Sequence, residues 1–486
     1  MAEIMSTISG TLWGLPMLLS IAACGILFTF GTKFFAFRHF GHICKNTIGS
    51  LSKSDGKSKT GVSPFEAACI AIGGAVGVGN ITGVASAIAM GGPGAVFWMW
   101  LWGIFGMTVK MVESSVGCYY RCKNSEGEYF GGPSYYMSRG IAEEQGKKIG
   151  LILAALFGIS FLFHSVSGLS VFNISDALYA TLNIPRLITA GAFSLFLLYI
   201  IWKGVPRISR FSVKAVPFMC MLYLLAGIVI IIMHIQNVPV VFAQIFHDAF
   251  TGTAATGGFV GVGVMTVVKT GVARSINSNE AGQGSSPMIH ASADTVHPIR
   301  QGLWGCMEVF VDTIIVCSVT ALSILVTGVW NTGLKGAALG VEAFRVSFGH
   351  AGVIFIAVLV FLFGLTTSAG WFAYYQAILN YLFGKKPSVY KALLTFWKVL
   401  YPAASFGIVL IFVVSSADLD TYWNFMDIVT VLPVFFNVIA LFFLTNTFFK
   451  LFKDYKARYL GEGEVDPDMD VFYDDKLAKE KNTSVE

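Results

Sequence analysis

Charge is what this sequence has least of. Asp, Glu, Lys and Arg make up 13% of its 486 residues, against about 25% in soluble domains, while 55% are hydrophobic and mean hydropathy is +0.69. A soluble fold of that composition could not cover its surface, which leaves a chain that crosses a membrane many times. Metal-ligand patterns are missing too. The eight cysteines (24, 44, 69, 118, 122, 220, 306 and 317) lie mostly inside apolar segments. Cys118 and Cys122 stand one helical turn apart with no second pair, so they read as small packing residues. Eight scattered histidines give no clustered nucleophile and base, which argues against an enzyme. Met1–Gly10 lacks the basic start of a cleavable signal peptide, and Lys33, Phe34 and Phe35 follow the first apolar run where a small-residue cleavage site would stand.

What is present is a series of apolar runs, each long enough to cross a hydrocarbon core of about 30 Å. The expected fold is an all-α polytopic membrane protein of about eleven spans, near 12–35, 64–90, 94–120, 150–181, 187–202, 213–234, 257–290, 300–328, 351–383, 392–415 and 424–449. Basic residues gather in alternate loops. One side receives Arg38, Lys45, Lys53, Lys57 and Lys59; Arg121, Lys123, Arg139, Lys147 and Lys148; Lys203, Arg207, Arg210 and Lys214; Lys385, Lys386 and Lys391; and Lys450, Lys453, Lys456 and Arg458. The opposite loops are poor in bases: 235–252 has none and 416–421 carries Asp418 and Asp420, although Lys335 and Arg345 are exceptions. By the positive-inside rule the basic side is cytoplasmic, which places the N-terminus outside and the C-terminus inside a plasma (inner) membrane. The net charge of +5 thus marks orientation in a lipid bilayer and implies no nucleic-acid partner. The tail from Lys450 is expected to be solvated and partly disordered.

Two segments break the apolar pattern. Gly73–Gly94 reads GGAVGVGNITGVASAIAMGGPG, and Ser278–Pro287 reads SNEAGQGSSP. Backbone that leaves the helix at membrane depth is tolerated only where protein buries it or where it lines a cavity. With the first span set aside, ten remain, and each set of five opens on one of the breaks. Odd-numbered halves must be inverted relative to each other, so the expected architecture is a 5+5 inverted repeat with one extra N-terminal helix. Its parts are 1–63 (peripheral helix and basic loop), 64–234 and 257–449 (the repeats) and 450–486 (the tail).

The breaks carry the chemistry. Glycines at 77, 79 and 83 free backbone groups around Asn80, and the half-helix that follows offers its positive end to a carboxylate. Small-residue helix packing is the alternative use of those glycines. Ser278, Asn279, Glu280 and Gln283 bring hydrogen-bonding groups that lipid would penalise. Glu280 reads as a gating or coupling residue, or equally as a structural carboxylate that caps its half-helix or pairs with Arg274 or Lys269. Thr366, Thr367 and Ser368 could give oxygen to Na⁺, a hard cation, or bond their own helix. Lys110 with Glu113, and Asp312, read first as internal network residues. His164 reads as a buried, hydrogen-bonded histidine before a proton site.

GNITGVASAIAMGGPGAVFWMW, GGPSYYM at 131–137, SNEAGQGS, HPIRQG at 297–302 and FVDTIIVC at 310–317, in that order, resemble the sodium:alanine/glycine symporter family of amino-acid carriers, over about residues 60 to 440. The resemblance implies a leucine-transporter-type fold and symport of Na⁺ with a small neutral amino acid, alanine or glycine first. It also implies a pocket built by the first, third, sixth and eighth core helices. Transferred onto this chain, the substrate residues are Gly77, Val78, Gly79, Asn80, Ser170, Asn173, Ser278, Asn279, Gly282, Gln283, Thr367 and Trp371. The sodium ion falls to Gly77, Asn80, Thr366, Thr367 and Ser368, and coupling or gating to Asp176 and Glu280. The chain departs from the family at Val78 for Thr, Ser170 for Gln and Gln283 for an apolar residue. Those departures keep open a carrier for a polar neutral amino acid such as serine or glutamine, coupled to sodium or protons. An ion channel is the rival of another class, but two unequal breaks in one chain suit alternating access better.

Overall fold

The computed structural model describes residues 2–53, 62–124, 127–256, 259–415 and 419–483; Lys57, Lys59 and Asp418 of the orientation argument lie outside them. Helix dominates, because a backbone in lipid must satisfy its own hydrogen bonds. The one sheet among the described residues is a two-residue ladder in which Cys122–Lys123 pairs antiparallel with Tyr129–Phe130.

Every expected span falls on a helix or a pair of helices, with instructive differences. The first is two helices, Ala2–Leu12 and Leu15–Gly31. The second is bent by 42° between Pro64–Ala75 and Gly79–Gly91. The fourth divides into Ile149–His164 and Leu169–Leu182, where Gly168 adopts a left-handed φ of 63°. The seventh begins at Val264, later than the sequence suggests, since the chain before it forms bridges between Thr253 and Val262 and between Thr256 and Phe259. By length and apolarity, seven of the helices among the described residues could cross a membrane, or eight with the bent pair counted as one span. Both broken segments are followed by further long helices, the first by Gly94–Tyr119 and the second by Pro298–Val309.

Local sequence explains the element that carries the first break. Ser63 and Glu66 form a reciprocal capping box, with Glu66 N–H donating to Ser63 Oγ at 3.2 Å and Ser63 N–H to Glu66 Oε2 at 2.8 Å. Pro64 follows in the first helical position, where its missing N–H is harmless. Glycine then governs how closely the helices approach. A Cβ on Gly302 would lie 2.1 Å from Ser115 Oγ, and one on Gly305 2.9 Å from the Lys110 carbonyl. Helices Gly94–Tyr119 and Pro298–Val309 therefore pack backbone to backbone, which brings Lys110 against Glu308.

The tail differs from expectation. Thr445–Leu460 and Tyr473–Thr483 are helices. The second lies against the body through a buried Tyr473, an Arg139–Asp474 ion pair and a Lys476–Glu144 pair at 2.8 Å. Aromatic residues at 472 and 473, within an otherwise charged stretch, provide the apolar surface that docks it.

Candidate functional site

At the first break the chain leaves the helix at Val76, which is extended. Asn80 fills the gap: its Oδ1 accepts the Gly77 N–H at 2.7 Å. Glycine is required at 77 because a Cβ there would sit 1.9 Å from Thr367 Oγ1. That hydroxyl donates to the Gly73 carbonyl at 3.2 Å, so helix Gly336–Phe383 is fastened onto the break. Val78 and Gly79 continue the turn, with the Val78 carbonyl accepting from the Thr82 hydroxyl at 3.0 Å.

The second break begins where helix Val264–Asn279 ends. Glu280, Gly282 and Gly284 have φ of 57°, 93° and 78°, a left-handed alternation that two glycines make accessible. Asn279 serves the turn: Oδ1 accepts Ala281 N–H at 2.9 Å, and Nδ2 donates to Thr313 Oγ1 at 2.9 Å and Ser275 Oγ at 3.1 Å. Asn437 Nδ2 donates to the Gly282 carbonyl at 2.8 Å.

Asp312 joins the two breaks. Its Oδ1 accepts from Asn80 Nδ2 at 2.6 Å, and its Oδ2 from Ser278 Oγ and Thr313 Oγ1, each at 2.9 Å. Three donors on a fully buried carboxylate meet the condition under which such a group is tolerated. The sequence marked Asp312 as a network residue. What it could not show is that this network links both discontinuous helices.

Beside the second break lies a buried charge cluster. Lys110 Nζ is 3.3 Å from Glu308 Oε1, and Glu280 and Glu113 also act on it electrostatically. Glu308 accepts from Ser286 Oγ at 2.7 Å and contacts His290 Nε2 at 3.1 Å. Glu113 accepts the Gly284 N–H at 3.1 Å and an Asn437 amide bond. Glu280 accepts from Ser285 Oγ across the turn. The expected structural partners of Glu280 are thus replaced. Arg274 instead pairs with Asp427 at 2.7 Å, because residue 280 has already turned out of the helix that carries 274.

A cavity of about 20 Å³ opens between Ser167, Ser170, Thr367, Ser368, Trp371 and Tyr401. That is space for a water molecule and too little for an amino acid. His164 stacks on Trp371 at 4.2 Å and reaches Tyr375 at 3.3 Å, while Phe161 stacks on the same indole at 5.2 Å. Of the residues expected here, Ser170, Thr367, Ser368 and Trp371 meet. Thr366 does not join them: its hydroxyl donates to Phe363 O at 2.9 Å and faces Met219. Asn173 is buried one turn beyond Ser170, and Gln283 is buried in the second break, its N–H donating to Glu280 O at 3.0 Å. Asp176 pairs with Arg186 at 2.8 Å, partly exposed, outside the cavity wall.

Asp427 and Asn437 were missed, although a carboxylate and an amide within one apolar span are the signal that should have found them. Asp427 also accepts the Trp13 indole through its carbonyl at 3.1 Å, which ties the N-terminal helices to Arg274. A second cavity, of about 380 Å³, adjoins that ion pair between Met90, Phe259, Arg274, Trp330 and Asp427.

The profile of the sodium:alanine symporter family matches residues 1–469. The chain is 32% identical over 452 residues to the sodium/alanine symporter AgcS of Methanococcus maripaludis, covering 91% of this chain and 95% of that protein. It is 34% identical over 471 residues to the probable sodium/glutamine symporter GlnT of Bacillus subtilis, covering 96% and 92%. The solved structure of a Na⁺-coupled sialic acid symporter, substrate-bound and outward-open, superposes with a TM-score of 0.54 at 12% identity over 92% of this chain and 93% of that one. That likeness is one of fold.

Proposed function

We propose, because this chain belongs to the sodium:alanine symporter family and has the leucine-transporter-type fold, that it carries a small neutral amino acid into the cell together with Na⁺ by alternating access. One observation carries the reading: both helix breaks converge on Asp312, and Thr367 connects the first of them to the hydroxyl-lined cavity. Backbone N–H groups at Val78 and Gly79 suit the substrate carboxylate, those of Gly77 and Asn80 being already bonded within the break, and oxygens of Ser278 and the Ser170 helix suit its ammonium. The hydroxyls of Thr367 and Ser368 with carbonyls of the first break suit Na⁺. Thr366 is the weakest member of that shell, since its hydroxyl already bonds its own helix. The base-rich segments support a cytoplasmic C-terminus and an external N-terminus in the plasma membrane.

Substrate size follows from the aromatic wall. Phe161, His164 and Trp371 form a stack on one side of the cavity, an apolar wall that suits the short side chain of alanine or glycine. The kinship with a probable glutamine symporter keeps a polar neutral substrate as the second reading, with Gln283 as its one distinctive amide. Counterflow in proteoliposomes against alanine, glycine, serine and glutamine, with and without a Na⁺ gradient, tests both. Alanine and glycine should compete best, and Gln283→Met should leave that ranking unchanged. A mutant that turns from glutamine towards alanine would establish the second reading instead.

A further inference from the structure

Residues 177–247 contain no Asp or Glu, yet they hold Arg186, Lys203, Arg207, Arg210 and Lys214. Arg186 is satisfied by Asp176. Among the described residues the other four have no acidic partner, whereas some other cations on the same side do, among them Arg139 with Asp474, Lys476 with Glu144 and Arg458 with Asp454. Topology alone accounts for the presence of bases at this end of the bundle. It does not account for the convergence of Lys203, Arg207 and Arg210 on one groove.

That groove, of about 290 Å³, lies where helix Arg186–Ile201 turns through Gly204 into helix Val205–Met233. Its walls are Tyr199, Ile200, Lys203, Arg207, Arg210 and Phe211. Arg207, Arg210 and Lys214 are three and four residues apart and share one helix face. The guanidinium groups of Arg207 and Arg210 are held in place rather than loose. Arg207 lies 3.8 Å over the Tyr199 ring and donates to the Tyr199 carbonyl at 2.9 Å, and Arg210 Nε donates to the Pro206 carbonyl at 3.1 Å. Each retains further N–H donors for an anion. Next to the groove the surface is apolar and open: Leu195 is 70% exposed, Phe196 56% and Tyr199 64%. Trp202 sits at the level of the bases, where indole rings mark the membrane interface.

We propose that this groove binds the phosphate headgroup of an anionic phospholipid, whose acyl chains lie along Leu195 and Phe196. Charge complementarity selects the headgroup, and the exposed apolar flank selects a lipid over a soluble anion. The occupied leaflet is the cytoplasmic one in the orientation given above. The same helix carries Ser212 and Val216 to the first break, where a Cβ on Gly73 would lie 2.7 Å from Val216 Cγ2. A lipid seated at the start of this helix therefore braces the element that backs the broken one.

The test is thermal unfolding of the purified full chain in a neutral detergent, titrated with phosphatidylglycerol, phosphatidylcholine of the same chains, or inorganic phosphate. Phosphatidylglycerol should raise the midpoint by several degrees, and the other two should not. Arg207→Gln with Arg210→Gln should weaken that response, roughly fivefold in affinity for each base removed. If this pair alters the lipid-free midpoint, the exposed Lys203→Gln variant replaces it and should lose about fivefold. Equal stabilisation by phosphatidylcholine would overturn the proposal, as would a wild-type response in the variants. A response to inorganic phosphate matching that to the lipid would make the groove a soluble-anion site and overturn it equally.

Discussion

Thr366 and Thr367 are adjacent and chemically identical, yet their hydroxyls face different neighbours. One bonds its own helix beside Met219, and the other reaches the Gly73 carbonyl on the broken helix. Thr367→Ala should raise the Na⁺ concentration for half-maximal uptake several-fold while leaving substrate ranking alone, and Thr366→Ala should change it little. Uptake of labelled substrate across a Na⁺ series checks the pair, and equal effects would remove the distinction. Asp312→Asn keeps the shape but places an amide donor against Asn80, or against Ser278 and Thr313. Losing a charge-assisted bond of about 1.5–3 kcal/mol should weaken substrate binding roughly 10- to 100-fold, which equilibrium binding would measure. At this scale the sequence was informative about residue type and poor about direction. Helical spacing placed Thr367 and Trp371 on one face, but whether a hydroxyl faces inward depends on the neighbouring helix. Asp427 escaped notice because its partner, Arg274, is remote in the chain.

Among elements, the breaks were legible because glycine and polar residues at membrane depth permit few structures. The closeness of helices Gly94–Tyr119 and Pro298–Val309 was not, since Gly302 and Gly305 acquire meaning only opposite Ser114 and Ser115. That approach buries Lys110 among Glu113, Glu280 and Glu308. Lys110→Met leaves the carboxylates without their cation and should destabilise the protein by about 3–5 kcal/mol. Adding Glu308→Met should recover part of the loss. Thermal unfolding of the two single variants and the double variant checks this, and additive losses would show that the pair is not coupled. Span edges were less accessible. The left-handed turn at Gly168 divides the fourth span, and the serines at 165, 167 and 170 around that glycine are the turn signal that should have found it. The docked tail was likewise hidden, because the anchoring aromatic residues are few within charged sequence.

For the whole molecule, composition alone defined a many-times-spanning chain, and the order of the breaks is the ground for expecting two series of five. The cavity belongs to the assembled molecule, since its walls come from the chain on either side of Gly168 and from helix Gly336–Phe383, which Thr367 ties to the first broken helix. If substrate and Na⁺ both stabilise one closed arrangement, each must tighten the other by the same factor. The direct measurement is equilibrium binding of labelled alanine to the purified protein across a Na⁺ series at constant ionic strength, paired with Na⁺ titrations at fixed alanine. Alanine affinity should rise with Na⁺, the Na⁺ midpoint should fall with alanine by the matching factor, and K⁺ or choline should replace neither effect. An alanine affinity equal in Na⁺ and in choline would contradict the account.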